Sequence, residues 1–280
     1  MEAGVQEKLK HLKDLIAGYD GLAVAFSGGV DSTFLLMCAR EVLGPRVLAL
    51  TINGPHISPA EFLEAKRFCE SHDISQLVLT MPDELFASIA ENPPDRCYIC
   101  KRGMFEYMLE CIDGLPLADG SNADDAGEHR PGRRALKELG IVSPLAEAGF
   151  TKGEIRTALR AMNLPAWNKP SNPCLATRIP YGERLDPERL KAIDGIEQFI
   201  RALGFPIVRC RAHGSIAIIE VPAEDLPRLT NPLVAERITE RIHDAGFLYA
   251  TADIDGYRSG SMDEAVPEED RMPPADRKDK

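Results

Sequence analysis

The first 165 residues alternate between helix-like and strand-like hydrophobic patterns. Apolar residues recur at helical spacing from Val5 to Ile16, and the apolar run at 22–26 that follows has the length of a buried strand. The alternation continues: further strands are predicted at 47–52, 76–80, 115–119 and 141–145, and further helices at 31–43, 59–72, 101–111 and 133–139. Residues 1–165 are therefore predicted to form an α/β domain with a doubly wound parallel sheet.

A proline-rich stretch follows this first pattern. Because four prolines lie between Leu164 and Gly182, residues 166–183 are predicted to form an irregular loop or linker. The second pattern predicts a smaller α+β domain at 184–262, compatible with a ferredoxin-like arrangement. Its predicted elements are a helix at 187–203, strands at 207–212 and 215–221, a helix at 232–245 and a strand at 247–254. Residues 263–280 are mostly charged and are predicted to be a disordered tail.

Composition narrows the class of protein. Of the 280 residues 44% are hydrophobic, which is enough for a folded core. There is no apolar run of about 20 residues and no signal-peptide core at the N-terminus, so we expect a cytoplasmic protein that does not enter a membrane. The net charge of −11 argues against nucleic acid as a partner. Seven cysteines, an odd number, argue against a disulfide framework.

A glycine-containing loop, Ser27-Gly28-Gly29-Val30-Asp31-Ser32, joins the first predicted strand to the next helix, where an open α/β sheet binds ligands. The glycines allow backbone N–H groups to approach phosphate oxygens, and the two serine hydroxyls can donate hydrogen bonds. A carboxylate beside phosphates requires a cation between them, so we interpret Asp31 as a ligand or organiser of Mg²⁺. For a bare glycine pair, an ordinary turn with Asp31 or Ser32 as N-cap would be preferred.

Two cysteines form a C-x-x-C motif at a predicted helix start. The helix N-terminus, Arg96 and Lys101 would stabilise the thiolates of Cys97 and Cys100, the form that binds metal or attacks electrophiles. A partly buried pair without chemistry is equally compatible with this motif alone. Two cysteines also cannot complete a tetrahedral metal site.

A third cysteine, Cys174, lies in the proline-rich loop beside Arg178. Cysteines that only fill space usually lie on helices or strands, as expected for Cys38, Cys69, Cys111 and Cys210. A loop cysteine near an arginine is instead expected to be reactive. Cys97, Cys100 and Cys174 together would suit a [4Fe–4S] cluster that keeps one iron without a protein ligand.

Charged residues interrupt the two strands predicted at 207–212 and 215–221. Arg209 and Arg211 are two residues apart and share a face, so they could form a fork for a phosphate. Glu220 shares a face with two isoleucines and would need a cationic partner, which either arginine could supply. A solvated salt-bridge face is the commoner alternative for charged strand residues.

The hexapeptide at 27–32 matches the SGGxDS signature of the PP-loop ATP pyrophosphatases. The resemblance implies that a substrate oxygen attacks the α-phosphorus of Mg-ATP and that pyrophosphate leaves. Together with the C-x-x-C motif and the segment NPCLATRIPYG at 172–182, it makes the chain resemble the LarE family, the sulfur transferases of nickel-pincer nucleotide biosynthesis, over residues 5–263. Supporting segments are DGSNADD at 119–125, HRPGRR at 129–134, VRCRAHG at 208–214 and DGYRSGSM at 255–262.

This resemblance implies a substrate, pyridinium-3,5-biscarboxylic acid mononucleotide, whose carboxylates become thiocarboxylates. Cys174 would either be consumed as the sulfur source or help to hold a [4Fe–4S] cluster that delivers sulfide. Gly120 is implied as a nucleotide contact, and Arg130 is either a second one or part of a surface charge run. Implied substrate contacts are Arg178, Glu197, Arg209, Arg211 and Glu220. A homo-oligomer is expected, with transient contacts to other proteins of the same biosynthesis.

Two other classes of function stay open on the sequence. One is a PP-loop enzyme with another substrate, a tRNA thiolase or an ammonia-dependent amidotransferase. The acidic charge opposes the first. For the second, no glutaminase pattern is found in this sequence, although a separate chain could supply the ammonia. The other is a regulatory protein that binds ATP without turnover and senses redox state through its cysteines.

Overall fold

The computed structural model describes residues 3–126, 131–170 and 172–258. Described residues fall into two compact units. The first unit consists of the described residues within Met1–Gly54, Pro59–Leu85 and Cys97–Ser171. The second unit consists of those within Pro55–Ser58, Phe86–Arg96 and Asn172–Lys280. The predicted domain bounds, 1–165, 166–183 and 184–262, stay predictions. No helix among the described residues is long and apolar enough to cross a membrane.

Four parallel strands form the sheet of the first unit: β1 (Leu22–Ala25), β2 (Val47–Asn53), β3 (Ser75–Thr80) and β4 (Leu117–Ala118). Their order is β3-β2-β1-β4, with Leu22 opposite Val47 in the central pair. A wholly apolar β1 suits this central position, because both faces of a doubly wound sheet are covered. The predicted α/β fold class is confirmed.

Helices occur before, between and after these strands in the sequence. They are α1 (Ala3–Ala17), α2 (Val30–Leu43), α3 (Pro59–Ser71), α4 (Asp83–Ile89), α5 (Arg96–Glu110), α6 (Pro131–Glu138), α7 (Pro144–Glu147) and α8 (Lys152–Ala161). The core of this unit is built where α1, α2 and α8 bury Leu12, Phe34 and Leu159 beside the strands. In α8 the buried residues Ile155, Ala158 and Leu159 recur at helical spacing on one face, whereas α2 buries residues 32–36 without interruption.

The strand predicted at 141–145 is wrong. Val142 forms only an isolated bridge with Ala118, and α7 begins at Pro144. Proline has no N–H to continue a ladder but is well suited to the first turn of a helix, which ends the strand after one bridge. Helices α4 and α8 are additional to the prediction, although α8 begins with a capping box in which Thr151 and Glu154 bind each other's backbone N–H.

A three-stranded sheet forms the centre of the second unit. Its elements are α9 (Pro187–Ala202), β5 (Arg209–His213), β6 (Ile216–Glu220), α10 (Leu226–Leu229), α11 (Pro232–Asp244) and β7 (Tyr249–Ala252). β5 and β6 pair antiparallel, whereas β6 and β7 are adjacent and parallel. Parallel neighbours need a crossover, which α10 and α11 supply. The ferredoxin-like arrangement is therefore wrong, because its split βαβ units do not place such strands side by side.

Candidate active site

The loop between β1 and α2 has the geometry of a phosphate-binding turn. It follows the carboxyl end of a central parallel strand, and Gly29 is the N-cap of α2. Gly28 has φ of 71°, and a Cβ there would lie 3.2 Å from the Ala65 side chain. Only glycine suits both constraints. The Ser27 and Ser32 hydroxyls lie 3.2 Å apart at the opening of α2.

Gly120 lies beside this loop, and its contact with a nucleotide stays a prediction. It follows β4, and a Cβ on it would approach the backbone nitrogen of Ser32 to 3.0 Å. The loops after two neighbouring parallel strands therefore meet over the first turn of α2. A bare backbone here leaves room for a ligand against the N–H groups of that turn.

The Asp31 carboxylate is partly buried beside Lys152, and its role as a magnesium ligand stays a prediction. Burial raises its pKa, while the hydrogen bond and charge of Lys152 act in the opposite direction. Oδ2 accepts a hydrogen bond from Lys152 Nζ, and the buried Oδ1 has no hydrogen-bond partner among the described residues. A desolvated carboxylate oxygen of this kind is a suitable ligand for a hard cation that also binds phosphate oxygens.

Two lysines that the sequence analysis missed contact the phosphate loop. Lys152, in the first turn of α8, binds Asp31. Lys169 donates to the Gly28 carbonyl at 3.1 Å and to Glu64 at 2.9 Å. Ammonium groups here can neutralise phosphate charge. The capping box at Thr151 could have located α8 and hence Lys152, but no local pattern marks Lys169.

Arg130 lies outside the described residues, as do the side chains of 131–133. Arg134 is described: its Nε donates to Glu138 at 2.5 Å, and its guanidinium lies 5.6 Å from the centre of the Tyr98 ring. It is thus engaged on the surface formed by α5 and α6. The prediction of a phosphate contact from Arg130 stays a prediction.

The C-x-x-C motif lies in the first turn of α5, which confirms the predicted helix start. Cys97 is exposed and Cys100 is buried. In the part of the chain that the structure describes, no three His, Cys, Asp or Glu side chains are grouped closely enough to hold a metal ion. The assignment of Cys97, Cys100 and Cys174 to one cluster stays a prediction.

Cys174 is half-buried and immediately precedes a 3₁₀ turn, Leu175–Arg178, in the second unit. Arg178 surrounds this segment with hydrogen bonds. Its guanidinium donates to the Pro173 carbonyl and the Thr177 hydroxyl, both at 2.8 Å, and to the Asn172 side chain at 2.9 Å. The segment that carries the thiol is therefore tied to an arginine four residues away.

Arg178 is itself held by Glu197 on α9. Two hydrogen bonds of 2.8 and 3.1 Å join them, and neither side chain is exposed. Glu197 also accepts from Arg201 at 2.7 Å and from the backbone N–H of Cys210 at 3.0 Å. Burial opposes ionisation of Glu197, but Arg178, followed by these other donors, holds its pKa below the usual value. Both implied substrate contacts are thus engaged with protein groups.

The two strand arginines of β5 have different partners. Arg211 forms a two-pronged ion pair with Glu220 at 2.9 and 3.0 Å, so the cationic partner predicted for Glu220 is confirmed. Arg209 is buried, lies 5.3 Å from the centre of the Tyr257 ring and donates to the Val208 carbonyl. Burial and the nearby Arg178 lower the pKa of Arg209 to about 10. A phosphate fork formed by the two arginines stays a prediction.

Curated proteins of three kinds are similar to this chain, and no protein-family model matches it. The uncharacterized protein slr1717 of Synechocystis sp. is 33% identical over 94% of this chain and 99% of its own length. The pyridinium-3,5-bisthiocarboxylic acid mononucleotide synthase of Lactiplantibacillus plantarum is 34% identical over 91% of this chain and 92% of its own length. One subunit of the glutamine-hydrolyzing GMP synthase of Pyrococcus furiosus is 25% identical over 69% of this chain and 66% of its own length.

The two full-length relatives carry more weight than the partial one. The GMP synthase subunit supports the PP-loop superfamily, in agreement with the parallel sheet and the loop at 27–32. The mononucleotide synthase is more than 30% identical over nearly the whole of both chains. This chain therefore belongs to the LarE family of PP-loop proteins.

Proposed function

We propose that this protein is an ATP-dependent sulfur transferase that converts the carboxylates of pyridinium-3,5-biscarboxylic acid mononucleotide into thiocarboxylates. The observation that carries the proposal is the similarity to the mononucleotide synthase over 91% of the chain. Two features of the molecule support it: the glycine loop at the end of β1, and a cysteine held on a structured loop.

Activation requires that ATP binds with its phosphates at the loop 27–32. Backbone N–H groups at the start of α2 and the Ser27 and Ser32 hydroxyls would bind the phosphates, with Lys152 and Lys169 supplying positive charge. Mg²⁺ held by Asp31 would neutralise charge on the phosphate oxygens. A substrate carboxylate oxygen attacks the α-phosphorus, and the α–β phosphoanhydride bond breaks to release pyrophosphate.

Sulfur transfer then proceeds through Cys174. Its thiolate attacks the acyl carbon, AMP leaves with the bonding electron pair, and a thioester forms. Removal of the Cα proton of Cys174 places an electron pair in a new Cα=Cβ bond. The Cβ–S bond breaks with its electrons on sulfur, so the product is a thiocarboxylate and the protein retains dehydroalanine.

Substrate binding is assigned to the second unit. Arg209 and Arg211 are proposed to contact the nucleotide phosphate, with Arg211 exchanging Glu220 for the phosphate. Arg178 and Glu197 are proposed to act on the substrate indirectly, because both are fully buried and bound to each other. Further proposals are a cytoplasmic homo-oligomer and transient contact with other proteins of nickel-pincer nucleotide biosynthesis.

A [4Fe–4S] cluster is the alternative sulfur source. Among the described residues, no three His, Cys, Asp or Glu side chains are grouped as metal ligands. We therefore derive no step through the cluster. Iron and sulfide analysis of protein purified without air tests it. About four irons per chain and an unchanged protein mass after turnover would show that the cluster, and not Cys174, supplies the sulfur.

The central experiment compares Cys174→Ala and Asp31→Asn with the wild type, using ATP and the dicarboxylate nucleotide. We expect Cys174→Ala to release pyrophosphate but to form no thiocarboxylate, because only the sulfur nucleophile is removed. Asp31→Asn is expected to lose pyrophosphate release by a factor of about 100 or more, as for other electrostatic contacts to a transition state. Intact mass of the wild type should fall by one H₂S, located at Cys174.

Two outcomes would contradict the proposal. A wild-type protein that releases no pyrophosphate with this nucleotide excludes it as the substrate. Product formation by Cys174→Ala at the wild-type rate, with ammonia in place of sulfur, would favour an amidotransferase, the chemistry that the similarity to GMP synthase subunits makes the second candidate.

A further inference from the structure

The loop that carries Cys174 has only one 3₁₀ turn, Leu175–Arg178, so its shape depends on contacts made by side chains elsewhere in the chain. Arg178 binds the residues before this turn from within the loop. A second set of contacts binds the residues after it. They come from Asn92, which no sequence pattern singles out, and from Arg96, which the sequence placed only beside the Cys97 and Cys100 thiols.

Asn92 has the conformation and burial of a fixed structural residue. Its φ is 51°, in the left-handed region, and none of its surface is exposed. The side-chain amide donates to the carbonyls of Ile179 at 2.9 Å and Pro180 at 2.7 Å, and the Asn92 carbonyl accepts from Gly182 at 2.9 Å. One residue thereby binds three positions of the loop.

Arg96 makes further contacts with the loop, including one closer to Cys174 in the sequence. It is buried, and its guanidinium donates to the Asn92 side-chain oxygen and to the Ala176 carbonyl, the latter at 3.3 Å. The same group lies 5.1 Å from the centre of the Tyr181 ring. Asn92 and Arg96 together therefore contact residues 176, 179, 180, 181 and 182. We refer to these two residues as the loop clamp.

A further contact completes the restraint. The N–H of Leu175, the residue after the cysteine, donates to the His56 carbonyl at 2.8 Å. The chain is thus held immediately after Cys174 and again from 176 to 182, while Arg178 binds the carbonyl of Pro173 at 2.8 Å. Loops with this density of buried polar contacts have one preferred shape, because each unmade hydrogen bond would leave a buried group unsatisfied.

We infer that Asn92 and Arg96 are positioning residues for sulfur transfer, which set where the Cys174 thiol lies without touching the substrate. This inference rests on the proposed function. Attack on an acyl carbon requires the sulfur at about 3–3.5 Å in a defined direction, and a displacement of about 1 Å can cost a factor of about 100. The clamp should affect the cysteine-dependent step and leave adenylation unchanged.

Asn92→Gly is the variant that separates these effects. Glycine adopts φ of 51° readily, so the backbone is retained while the amide hydrogen bonds are lost. Asn163→Gly is a matched control, since Asn163 is exposed and has φ of 57°. Arg96→Met provides a second variant that removes the guanidinium and keeps much of the side-chain volume. Thermal unfolding of each variant establishes that it is folded.

The first measurement is the ratio of the rate of thiocarboxylate formation to the rate of pyrophosphate release. With ATP and the dicarboxylate nucleotide we expect Asn92→Gly and Arg96→Met to release pyrophosphate near the wild-type rate and to form thiocarboxylate about 10- to 100-fold more slowly. Asn163→Gly should match the wild type in both. Equal loss of both products in a folded clamp variant, or no loss of either, overturns the inference.

The second readout needs no turnover. The rate of alkylation of Cys174, measured on its peptide by mass spectrometry, should change several-fold in the clamp variants and stay unchanged in Asn163→Gly. An unchanged rate in both clamp variants also overturns the inference. If the wild type releases no pyrophosphate, the proposed function fails, and the alkylation rates still decide whether the clamp positions the thiol.

Discussion

At the residue scale, the buried ion pair between Arg178 and Glu197 joins the Cys174 loop to α9. Neither side chain is exposed, and each has additional hydrogen bonds to backbone groups. Coulomb attraction in such a site must offset a large desolvation penalty for both groups. The penalty becomes uncompensated when one partner loses its charge.

Glu197→Gln therefore tests the pair. Arg178 would remain buried without its counter-charge, and we expect unfolding in urea to show a loss of about 3–5 kcal/mol. Glu236→Gln, an exposed change on α11 in the same unit, should cost less than about 0.5 kcal/mol. Similar small losses in both variants would show that the pair is not an essential part of the unit.

His56 makes stability depend on pH. Burial, followed by the charge of Arg96, lowers its pKa from 6.5 to about 4. The unfolded chain therefore binds a proton at His56 between pH 6.5 and 4 while the folded chain does not, so stability falls as pH falls through this window. The expected loss at pH 4 is on the order of 3 kcal/mol, from about 1.4 kcal/mol per pKa unit.

The measurement is urea unfolding at pH 7, 6, 5 and 4.5 for the wild type, His56→Gln and His243→Gln. His56→Gln removes the titrating group and should flatten the dependence on pH between 6.5 and 4.5. His243 is exposed on α11, so its variant should keep the wild-type dependence. A slope unchanged in His56→Gln would assign the dependence to other groups.

At the element scale, α8 connects helix stability to the nucleotide site. Its capping box begins at Thr151, and the next residue, Lys152, binds Asp31 beside the phosphate loop. Lys8 also binds Glu154 of the box at 2.7 Å. The start of the helix is therefore fixed by several contacts, and Lys152 is held by them at the loop.

We expect Thr151→Ala to reduce stability by about 1 kcal/mol, the usual cost of a lost N-cap. The same change should weaken ATP binding several-fold, because Lys152 would be less firmly placed. Thr157→Ala, on an exposed part of the same helix, is the matched control. Isothermal titration with a non-hydrolysable ATP analogue provides the measurement. Unchanged affinity in a Thr151→Ala variant of reduced stability would show that the helix cap does not contribute to ATP binding.

Element by element, the sequence predicted β1, β2, β3 and the helices α1, α2 and α3 to within a few residues. Those elements have long periodic patterns or wholly apolar runs, which local sequence specifies well. The strand predicted at 141–145 is wrong because this segment pairs with β4 through a single bridge, and local sequence does not specify how far such pairing extends. The parallel pairing of β6 with β7 likewise depends on where a crossover places a strand.

At the scale of the whole molecule, net charge predicts the class of partner. With 44 acidic against 33 basic side chains, the protein should repel polyanions. We expect no mobility shift with tRNA at micromolar protein and about 50 mM salt, conditions that favour electrostatic binding. A tight, salt-sensitive complex would instead support the tRNA thiolase alternative. A tRNA-binding protein of known affinity is the positive control.

By itself the sequence determined the fold class and the family, and it identified the loop at 27–32 and Cys174 as candidate site residues. Each depends on local patterns or on short segments, such as those at 27–32 and 172–182, whose chemistry can be interpreted without neighbours. Only the tertiary structure placed Lys152 and Lys169 at the loop, paired Arg178 with Glu197, and placed Asn92 and Arg96 on the Cys174 segment. These contacts join residues that are 19 to 141 positions apart in the chain. The free energy that selects them comes from shared burial, which no local pattern records.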